Sequence, residues 1–158
     1  MSKMFEEVKA LNGVGAFHRL FELPILDEPQ IPSADRCKLR IALLEEELNE
    51  LKEAIENNDL QEAADAFCDL QYVLSGAILE FGLGHRFHSM FEEVQRSNMS
   101  KACQNIIEAQ HTQEKYFNEK QVQSQIKEKE DVYLVYRADD GKVLKSINYS
   151  PADLSKFL

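Results

Sequence analysis

Two long stretches of helical periodicity follow one another in this chain, with only a short polar turn between them. The first extends from about Ala34 to Asn57 and the second from about Leu60 to Phe81. Both repeat apolar residues at spacings of three and four, which is the pattern of an amphipathic helix. Asp59 ends the intervening turn and is of a type that caps the following helix. The sequence therefore predicts two successive helices joined by a tight turn.

Each of these helices carries a cluster of carboxylates. The clusters are Glu46, Glu47 and Glu50 on the first helix, and Glu62, Asp65 and Asp69 on the second. Carboxylates three or four residues apart share one face of a helix. Two such faces brought together supply the oxygen ligands that Mg²⁺ or Mn²⁺ prefers. The pattern therefore indicates a magnesium site, with Mn²⁺ as an alternative, in an enzyme that handles a polyphosphate.

The alternative is that the acidic runs are simply the solvated sides of their helices, which is the commoner reason for such runs. Against this, Glu47 and Glu50 project among apolar residues, and the second helix is apolar on both sides beyond Asp69. A core stripe from Ala63 through Phe67 and Leu74 to Phe81 is expected on that helix. A helix covered on both faces favours a partner subunit, and unpaired carboxylates there favour bound cations.

Composition limits the remaining classes. The chain has 158 residues and a net charge of −10, so we expect one domain and no nucleic-acid partner, which would require a basic surface. No apolar run is long enough for a transmembrane helix, and three widely spaced cysteines do not suggest a disulfide framework. The acidic N-terminal sequence lacks the apolar stretch of a secretion signal. A cytoplasmic protein without a membrane partner is the expectation.

The rest of the chain completes a mainly α fold. A short helix over Met4–Leu23 and a fourth helix over His85–Ala109 are predicted. The polar stretch 110–130 reads as an insertion, either a helical extension or a linker. Alternating residues from Val132 to Tyr136, a turn at 139–142 and the run 143–147 predict a β-hairpin. The expected domain is 1–158, with a helical bundle over 1–109, the insertion over 110–130 and a hairpin tail over 131–158.

The acidic residues also carry a family resemblance. Glu46-Glu47-x-x-Glu50 followed by an ExxD-like element resembles the all-α nucleoside triphosphate pyrophosphohydrolases, a superfamily that includes MazG, dimeric dUTPases and phosphoribosyl-ATP pyrophosphohydrolase. The second element fits in two registers. Glu62-x-x-Asp65 matches it literally, whereas the family's downstream Leu-x-Tyr-Val follows Asp69 and places Ala66 at the motif's glutamate position. Asp65 and Asp69 are the favoured ligands, with Glu62 as an outer one.

A third landmark lies at 91–101, where Arg96-Ser97-Asn98-Met99-Ser100-Lys101 resembles a segment of one subgroup of these enzymes. The resemblance implies that Asn98 and Lys101 contact nucleotide phosphates, with Arg96 as a weaker candidate. The C-terminal segment resembles the same subgroup, and its Lys145 is a further candidate phosphate contact. The implied fold is a four- to five-helix all-α NTP pyrophosphohydrolase bundle with a small C-terminal β-hairpin.

The implied activity is Mg²⁺-dependent cleavage of an NTP or dNTP between the α- and β-phosphates, with a housecleaning role. Glu46, Glu47 and Glu50 would be catalytic, and Glu46 or Glu47 would position the attacking water. Family precedent implies a homodimer or homotetramer. Two alternatives stay open: a non-catalytic acidic helical interaction module, and a hydrolase of the same fold acting on a phosphoribosyl or other non-canonical nucleotide. The sequence leaves the base and sugar preference undecided.

Overall fold

The computed structural model describes residues 4–158, and internal contacts group the chain into two compact units. The helical unit extends to Phe87 and the C-terminal unit comprises His88–Leu158. The helices and strands, in chain order, are α1 (Ala10–Leu20), α2 (Ala34–Glu56), α3 (Leu60–Glu80), α4 (Phe87–Met99), α5 (Ile106–Lys120), β1 (Ser124–Lys129) and β2 (Val132–Arg137), with a final 3₁₀ turn at Ser155–Phe157. The prediction of a mainly α fold with a small C-terminal hairpin is confirmed. None of the helices in the described part of the chain has both the length and the apolar character needed to cross a bilayer.

The pair α2–α3 forms the centre of the helical unit, and both helices have nearly their predicted bounds. Asp59 caps α3, since its Oδ1 accepts hydrogen bonds from the backbone N–H groups of Gln61 and Glu62 at 3.0 and 3.1 Å. The interface near this turn is made mostly of small buried residues, which we call the alanine seam: Leu51, Ala54, Ala63 and Ala66. Small side chains let two helix backbones approach closely. The seam therefore fixes how near the two acidic clusters come.

The predicted core stripe of α3 is wrong in part. Ala63 and Ile78 are buried, but the larger Phe67 and Leu74 are 60% and 42% exposed. On α2, Ile55 is likewise 63% exposed. The reason is that α2 packs against the alanine side of α3, which leaves the bulky residues on the outside. An exposed apolar face over α2 and α3 results.

The proline-marked segment after α1 is fastened to the end of α3. The Leu26 and Gln30 N–H groups donate to the carbonyls of Leu79 and Phe81 at 3.0 and 3.1 Å. Gly82 ends α3 with a φ of 69°, and a Cβ at this position would lie 1.9 Å from the Glu28 carbonyl oxygen. Residue 82 must therefore be glycine, both for its left-handed conformation and for the close approach of the two chain segments.

A buried charged cluster joins all three helices of the unit. Glu80 is 1% exposed and accepts hydrogen bonds from Arg40 of α2, at 2.6 Å, and from Arg36 Nε, at 3.2 Å. Burial alone would raise the pKa of the Glu80 carboxyl, but the hydrogen bonds from the two arginines outweigh it and lower that pKa. The carboxylate is consequently charged, and it depends on these arginines for its solvation.

His18 brings α1 into the same cluster. Its Nδ1 lies 2.9 Å from the Pro24 carbonyl oxygen, which can only accept, so Nδ1 carries the hydrogen. Nε2 is then free to accept from Arg40 Nη2 at 3.2 Å. Gly76 makes room for both groups, because a Cβ there would lie 2.7 Å from Arg40 Nη1 and 3.0 Å from His18 Nε2. A larger residue at position 76 of α3 would therefore have to displace the Arg40 guanidinium or the His18 ring.

The C-terminal unit departs from the prediction at its first helix. The predicted helix over 85–109 is two helices, because the chain leaves the helical path after Met99 and pairs with β2. Cys103 and Tyr133 exchange two backbone hydrogen bonds of 2.8 Å. Asn105 then starts α5, its side chain accepting from the Glu108 N–H at 2.9 Å. The polar stretch 110–130 continues α5 to Lys120 and then forms β1.

The hairpin exists, but its strands differ from the predicted ones. β2 pairs with β1 in antiparallel register through a two-residue loop, Glu130-Asp131, in which Glu130 has a φ of 55°. The segment after the 139–142 turn makes only a single bridge, Tyr136 with Val143. Beyond this bridge, the Ser146 hydroxyl donates to the buried Glu108 carboxylate. Glu-Asp is not a typical hairpin turn sequence, so the loop carried little signal.

The C-terminal segment is fastened to α4 through Glu93. This carboxylate accepts from Arg96 Nε and Nη2 at 2.8 Å each, from the Asp153 N–H at 3.0 Å, and pairs with Lys156 at 3.3 Å. These hydrogen bonds, above all those from Arg96, hold the pKa of Glu93 well below its usual range. Arg96 also donates to Ser150 Oγ and to a backbone carbonyl. Glu93 and Arg96 therefore organise the end of the chain.

We predict that Glu80→Gln destabilises the chain by about 3–5 kcal/mol, because it leaves two arginines near a buried site without their counter-charge. Glu28→Gln is the matched control: it removes an exposed pair with Arg86 and should cost at most about 1 kcal/mol. Urea unfolding followed by circular dichroism measures both. Equal, small losses for the two variants would contradict the structural importance of the buried cluster.

Candidate functional site

The two acidic clusters face each other across α2 and α3. Glu47 and Asp69 are half-buried, whereas Glu46, Glu50, Glu62 and Asp65 are exposed. The antiparallel course of the two helices places the middle of α2 beside the first half of α3, so each acidic turn of one helix has an acidic turn opposite. The helical periods that predicted these faces from the sequence are thus reproduced.

The electrostatics of Glu47 show that the two clusters are close. Partial burial raises the pKa of its carboxyl, and the negative charges of Asp69, Glu50, Glu46 and Asp65 raise it further. Two of these four charges belong to the other helix. The carboxylates therefore repel one another and favour any cation placed among them.

A cavity of about 340 Å³ lies beside the clusters, at the turn between the two helices. Its polar lining consists of Glu50, Glu53, Asn57, Asp59, Glu62 and Asp65. Asp59 uses one of its carboxylate oxygens to cap α3. Glu53 was not singled out from the sequence, although it lies one helical turn from Glu50 and Asn57. The cavity is therefore rich in oxygen ligands.

The lysines, arginines and histidines within residues 4–158 do not neutralise this surface. Within residues 4–158, none of the six predicted carboxylates forms an ion pair with a lysine, arginine or histidine. Over the same residues, no three acidic, histidine or cysteine side chains are gathered in a ready ligand geometry. The carboxylates are thus neighbours on two helices, and most are exposed and free to change rotamer.

Ala66 marks the departure from the ExxD pattern. It is 2% exposed and lies in the alanine seam against α2, so this position carries no oxygen ligand. Asp65 and Asp69, on either side, both act on the pKa of Glu47. The carboxylates next to Glu47 on the second helix therefore come from residues that flank the seam.

The chemistry of this donor set fits a hard divalent cation. The available ligands are carboxylate oxygens and the amide oxygen of Asn57, and such oxygen ligands suit Mg²⁺ or Mn²⁺. Histidine, which the di-iron bundles use in Glu-x-x-His pairs, is missing from both acidic helices. A cation here would also remove the repulsion that raises the pKa of Glu47.

The predicted phosphate contacts all lie in the C-terminal unit. Lys101 Nζ donates to Asn98 Oδ1 at 2.8 Å, and Lys145 Nζ lies 4.3 Å from the centre of the Tyr149 ring. Neither lysine has an acidic partner within residues 4–158. Arg96 differs, since its guanidinium is engaged by Glu93 and the C-terminal segment as described above. Asn98, Lys101 and Lys145 are consequently more available for a ligand than Arg96.

Two features of the structure were missed at the sequence level. The buried cluster around Glu80 had a signal, because this residue is a lone acid in the apolar run Ala77–Phe81. Such an acid needs a buried partner, and the arginines near the start of α2 were available. Tyr149 had no comparable signal, since a single tyrosine in a polar tail is ordinary.

Comparison with known proteins agrees with this arrangement. The model of the phosphoribosyl-ATP pyrophosphohydrolase family matches residues 14–98, which are more than half of the chain and include both acidic clusters. The chain is also similar to a protein of Acanthamoeba polyphaga mimivirus, "Uncharacterized protein L479", at 31% identity over 115 residues. That match covers 66% of this chain and 44% of the viral protein, so the chain matches less than half of that relative's length.

The family match spans α2 and α3, which carry both acidic clusters, and it ends at Asn98. A nucleotide pyrophosphohydrolase fold follows. The chain belongs to the phosphoribosyl-ATP pyrophosphohydrolase family, within the MazG-like all-α NTP pyrophosphohydrolase superfamily.

Proposed function

We propose that this protein is a Mg²⁺-dependent nucleotide pyrophosphohydrolase that cleaves the α–β phosphoanhydride of an NTP or dNTP. The observation that carries the proposal is the facing of two acidic clusters that have no protein counter-charge within residues 4–158. Partial burial and these neighbouring negative charges together raise the pKa of Glu47. Such an arrangement costs folding energy unless cations bind among the carboxylates. The family supports the same reaction type.

In the proposed mechanism the acidic residues have two tasks. Glu47, Glu50, Asp65 and Asp69 hold the cations, with Glu46 and Glu62 beside them. Glu46 or Glu47 accepts a hydrogen bond from the attacking water and orients it toward the α-phosphorus. Bound Mg²⁺ supplies Lewis-acid polarisation of the phosphates and makes water more acidic. The new bond joins the water oxygen to the α-phosphorus, and a water proton passes to the carboxylate that orients the water. The bond from the α-phosphorus to the α–β bridging oxygen breaks, and pyrophosphate leaves.

The C-terminal unit contributes phosphate binding in this proposal. Asn98 offers an amide N–H, and Lys101 and Lys145 offer charge that is not used in an ion pair within the described residues. The chain has a net charge of −10, so these positive groups create a local region of positive electrostatic potential that attracts an anionic substrate. Arg96 serves mainly to hold the C-terminal segment and contributes to phosphate binding less than the lysines do.

The name of the matching family favours a second candidate substrate, phosphoribosyl-ATP. The bond to be cleaved is the same α–β phosphoanhydride, so the acidic clusters serve either substrate. For an NTP or dNTP substrate, the cellular task would be the removal of unwanted nucleotides. A substrate panel that contains phosphoribosyl-ATP beside the NTPs and dNTPs decides between the two.

We also propose that the chain is a homodimer or homotetramer, assembled through the exposed apolar face of α2 and α3. Large apolar side chains stand at 40–65% exposure on this face: Ile41, Leu48, Ile55, Phe67 and Leu74. Contiguous apolar surface on two neighbouring helices is typical of subunit interfaces. A second copy offers the same surface in return, which makes a two-fold contact possible.

The first test is pyrophosphate release from the substrate panel with and without Mg²⁺. We expect Mg²⁺-dependent release by the natural chain and a loss of kcat/KM of at least about 100-fold in Glu50→Gln. Glu45→Gln, an exposed acid of the same helix outside the clusters, is the matched control and should stay active. Hydrolysis in H₂¹⁸O should place the label in the monophosphate, because water attacks the α-phosphorus.

Label in the pyrophosphate would instead indicate attack at the β-phosphorus and contradict the proposed cleavage. A folded chain that releases pyrophosphate from none of the substrates, with metal supplied, would favour the non-catalytic interaction module.

A second prediction concerns Glu47→Gln and thermal stability. Without divalent metal the variant should melt about 1–2 °C higher than the natural chain, because one source of like-charge repulsion is removed. With Mg²⁺ the order should invert, since the natural chain gains binding energy that the variant lacks. Differential scanning calorimetry in EDTA and in Mg²⁺, with Glu45→Gln alongside, measures both. If Mg²⁺ does not reverse the order of the two melting temperatures, a cation site at Glu47 is contradicted.

A third prediction concerns assembly. Phe67→Glu places a charge on the exposed apolar face and should convert the proposed dimer or tetramer to a smaller species in sedimentation velocity runs. Ile107→Glu, at a residue 60% exposed on α5, is the control and should leave the mass unchanged. A natural chain that sediments as a monomer at all concentrations tested would refute the assembly.

A further inference from the structure

The C-terminal unit contains a polar group around Tyr149 that the proposed function has not used. Ser97 of α4 is 3% exposed and donates its hydroxyl hydrogen to the Tyr149 oxygen at 3.0 Å. Because Ser97 is the donor, the phenol keeps its own hydrogen for another acceptor. Tyr149 itself is only half-buried. Its hydroxyl is therefore held in place from the inside and can donate to a ligand.

Two lysines stand beside this hydroxyl. Lys145 Nζ lies 4.3 Å from the centre of the Tyr149 ring, and Lys101 is fixed nearby because its carbonyl accepts from the Ser146 N–H at 3.2 Å. The Lys101 ammonium is oriented by Asn98 Oδ1 at 2.8 Å. Neither ammonium is neutralised by an acid in the part of the chain that the structure describes. The group therefore combines two positive charges with one neutral donor.

The titration of the phenol agrees with this geometry. The hydrogen bond from Ser97 lowers the pKa of Tyr149, and the charges of Lys145 and Lys101 lower it further, against the opposing effect of burial. Both lysines thus act on the same oxygen. An anion that approached this oxygen would lie within reach of both charges.

We propose that Tyr149 is a further substrate-binding residue, whose hydroxyl donates to a phosphate oxygen between Lys101 and Lys145. The ligand class is a pyrophosphate group, the part of the substrate that leaves. Two ammonium groups offset charge on such a group, and a fixed phenol supplies direction, which flexible lysines do not. This assignment rests on the proposed function, because it takes the pyrophosphate portion of a nucleotide as the ligand.

The competing interpretation is that the hydroxyl only links the C-terminal segment to α4. Two substitutions separate the interpretations. Tyr149→Phe removes the hydroxyl but keeps the ring and its contact with Lys145. Ser97→Ala removes the same internal hydrogen bond but leaves the hydroxyl available. A purely structural hydroxyl would make the two variants equivalent, whereas a ligand contact makes Tyr149→Phe the more harmful one.

The experiment is isothermal titration of inorganic pyrophosphate into the full chain, in EDTA and in Mg²⁺, with thermal unfolding of each variant as a check on folding. We expect Tyr149→Phe to weaken pyrophosphate binding about tenfold or more, the usual effect of losing a hydrogen bond to a charged group. Ser97→Ala should also weaken pyrophosphate binding, but by a factor several-fold smaller than that of Tyr149→Phe. Tyr136→Phe, at a half-buried tyrosine of β2, is the matched control and should bind as the natural chain does.

Three results would overturn the assignment: no pyrophosphate binding by the natural chain, unchanged binding by Tyr149→Phe, or equal losses in Tyr149→Phe and Ser97→Ala. The binding measurement is independent of turnover. Binding that depends on Tyr149 in a chain that hydrolyses no nucleotide supports this contact and contradicts the proposed reaction. Hydrolysis with unchanged pyrophosphate binding in Tyr149→Phe supports the reaction and overturns the contact.

Discussion

The ion pairs of Glu80 with Arg36 and Arg40 are the constraint on which the helical unit depends. A carboxylate that is 1% exposed is tolerated only where charged partners replace its lost water. Those partners lie near the beginning of α2, whereas Glu80 is the last residue of α3. The pair therefore fixes the antiparallel register of the two helices, and His18 adds α1 to the same cluster.

That register decides what else the two helices can do. Glu47 lies seven residues after Arg40 on α2, and Asp69 lies seven residues before Gly76 on α3, about 10 Å along each axis. A charged cluster of mixed sign at one level thus fixes a cluster of single sign two turns away. The first stabilises the fold without any ligand. In the second, partial burial and like charges raise the pKa of Glu47, and bound cations would remove the repulsion. The stabilising cluster around Glu80 and the candidate cation site around Glu47 thus lie at different heights along the same pair of helices.

Prediction from the sequence was most accurate where a local capping residue agreed with a long stretch of helical periodicity. The bounds of α2 and α3 followed from helical periodicity and from Asp59, whose capping hydrogen bonds the structure contains. The six carboxylates could be placed on facing helices for the same reason. β1 escaped prediction because Ile126 is the single apolar residue in its six positions, so no alternation was visible. The exposure of Phe67 was not predicted, because periodicity identifies an apolar face of a helix but not whether a neighbouring element covers it.

The alanine seam affects which size of cation the acidic clusters would suit. Ala54, Ala63 and Ala66 allow α2 and α3 to approach closely, and the oxygens of the facing acids are carried on those backbones. Replacing one alanine by valine or leucine would spread the helices and lengthen the span across the acidic cluster. Oxygen distances of about 2.0–2.1 Å suit Mg²⁺, whereas about 2.3–2.6 Å suit Ca²⁺. Methyl groups that touch no ligand would in this way select between a small and a large cation.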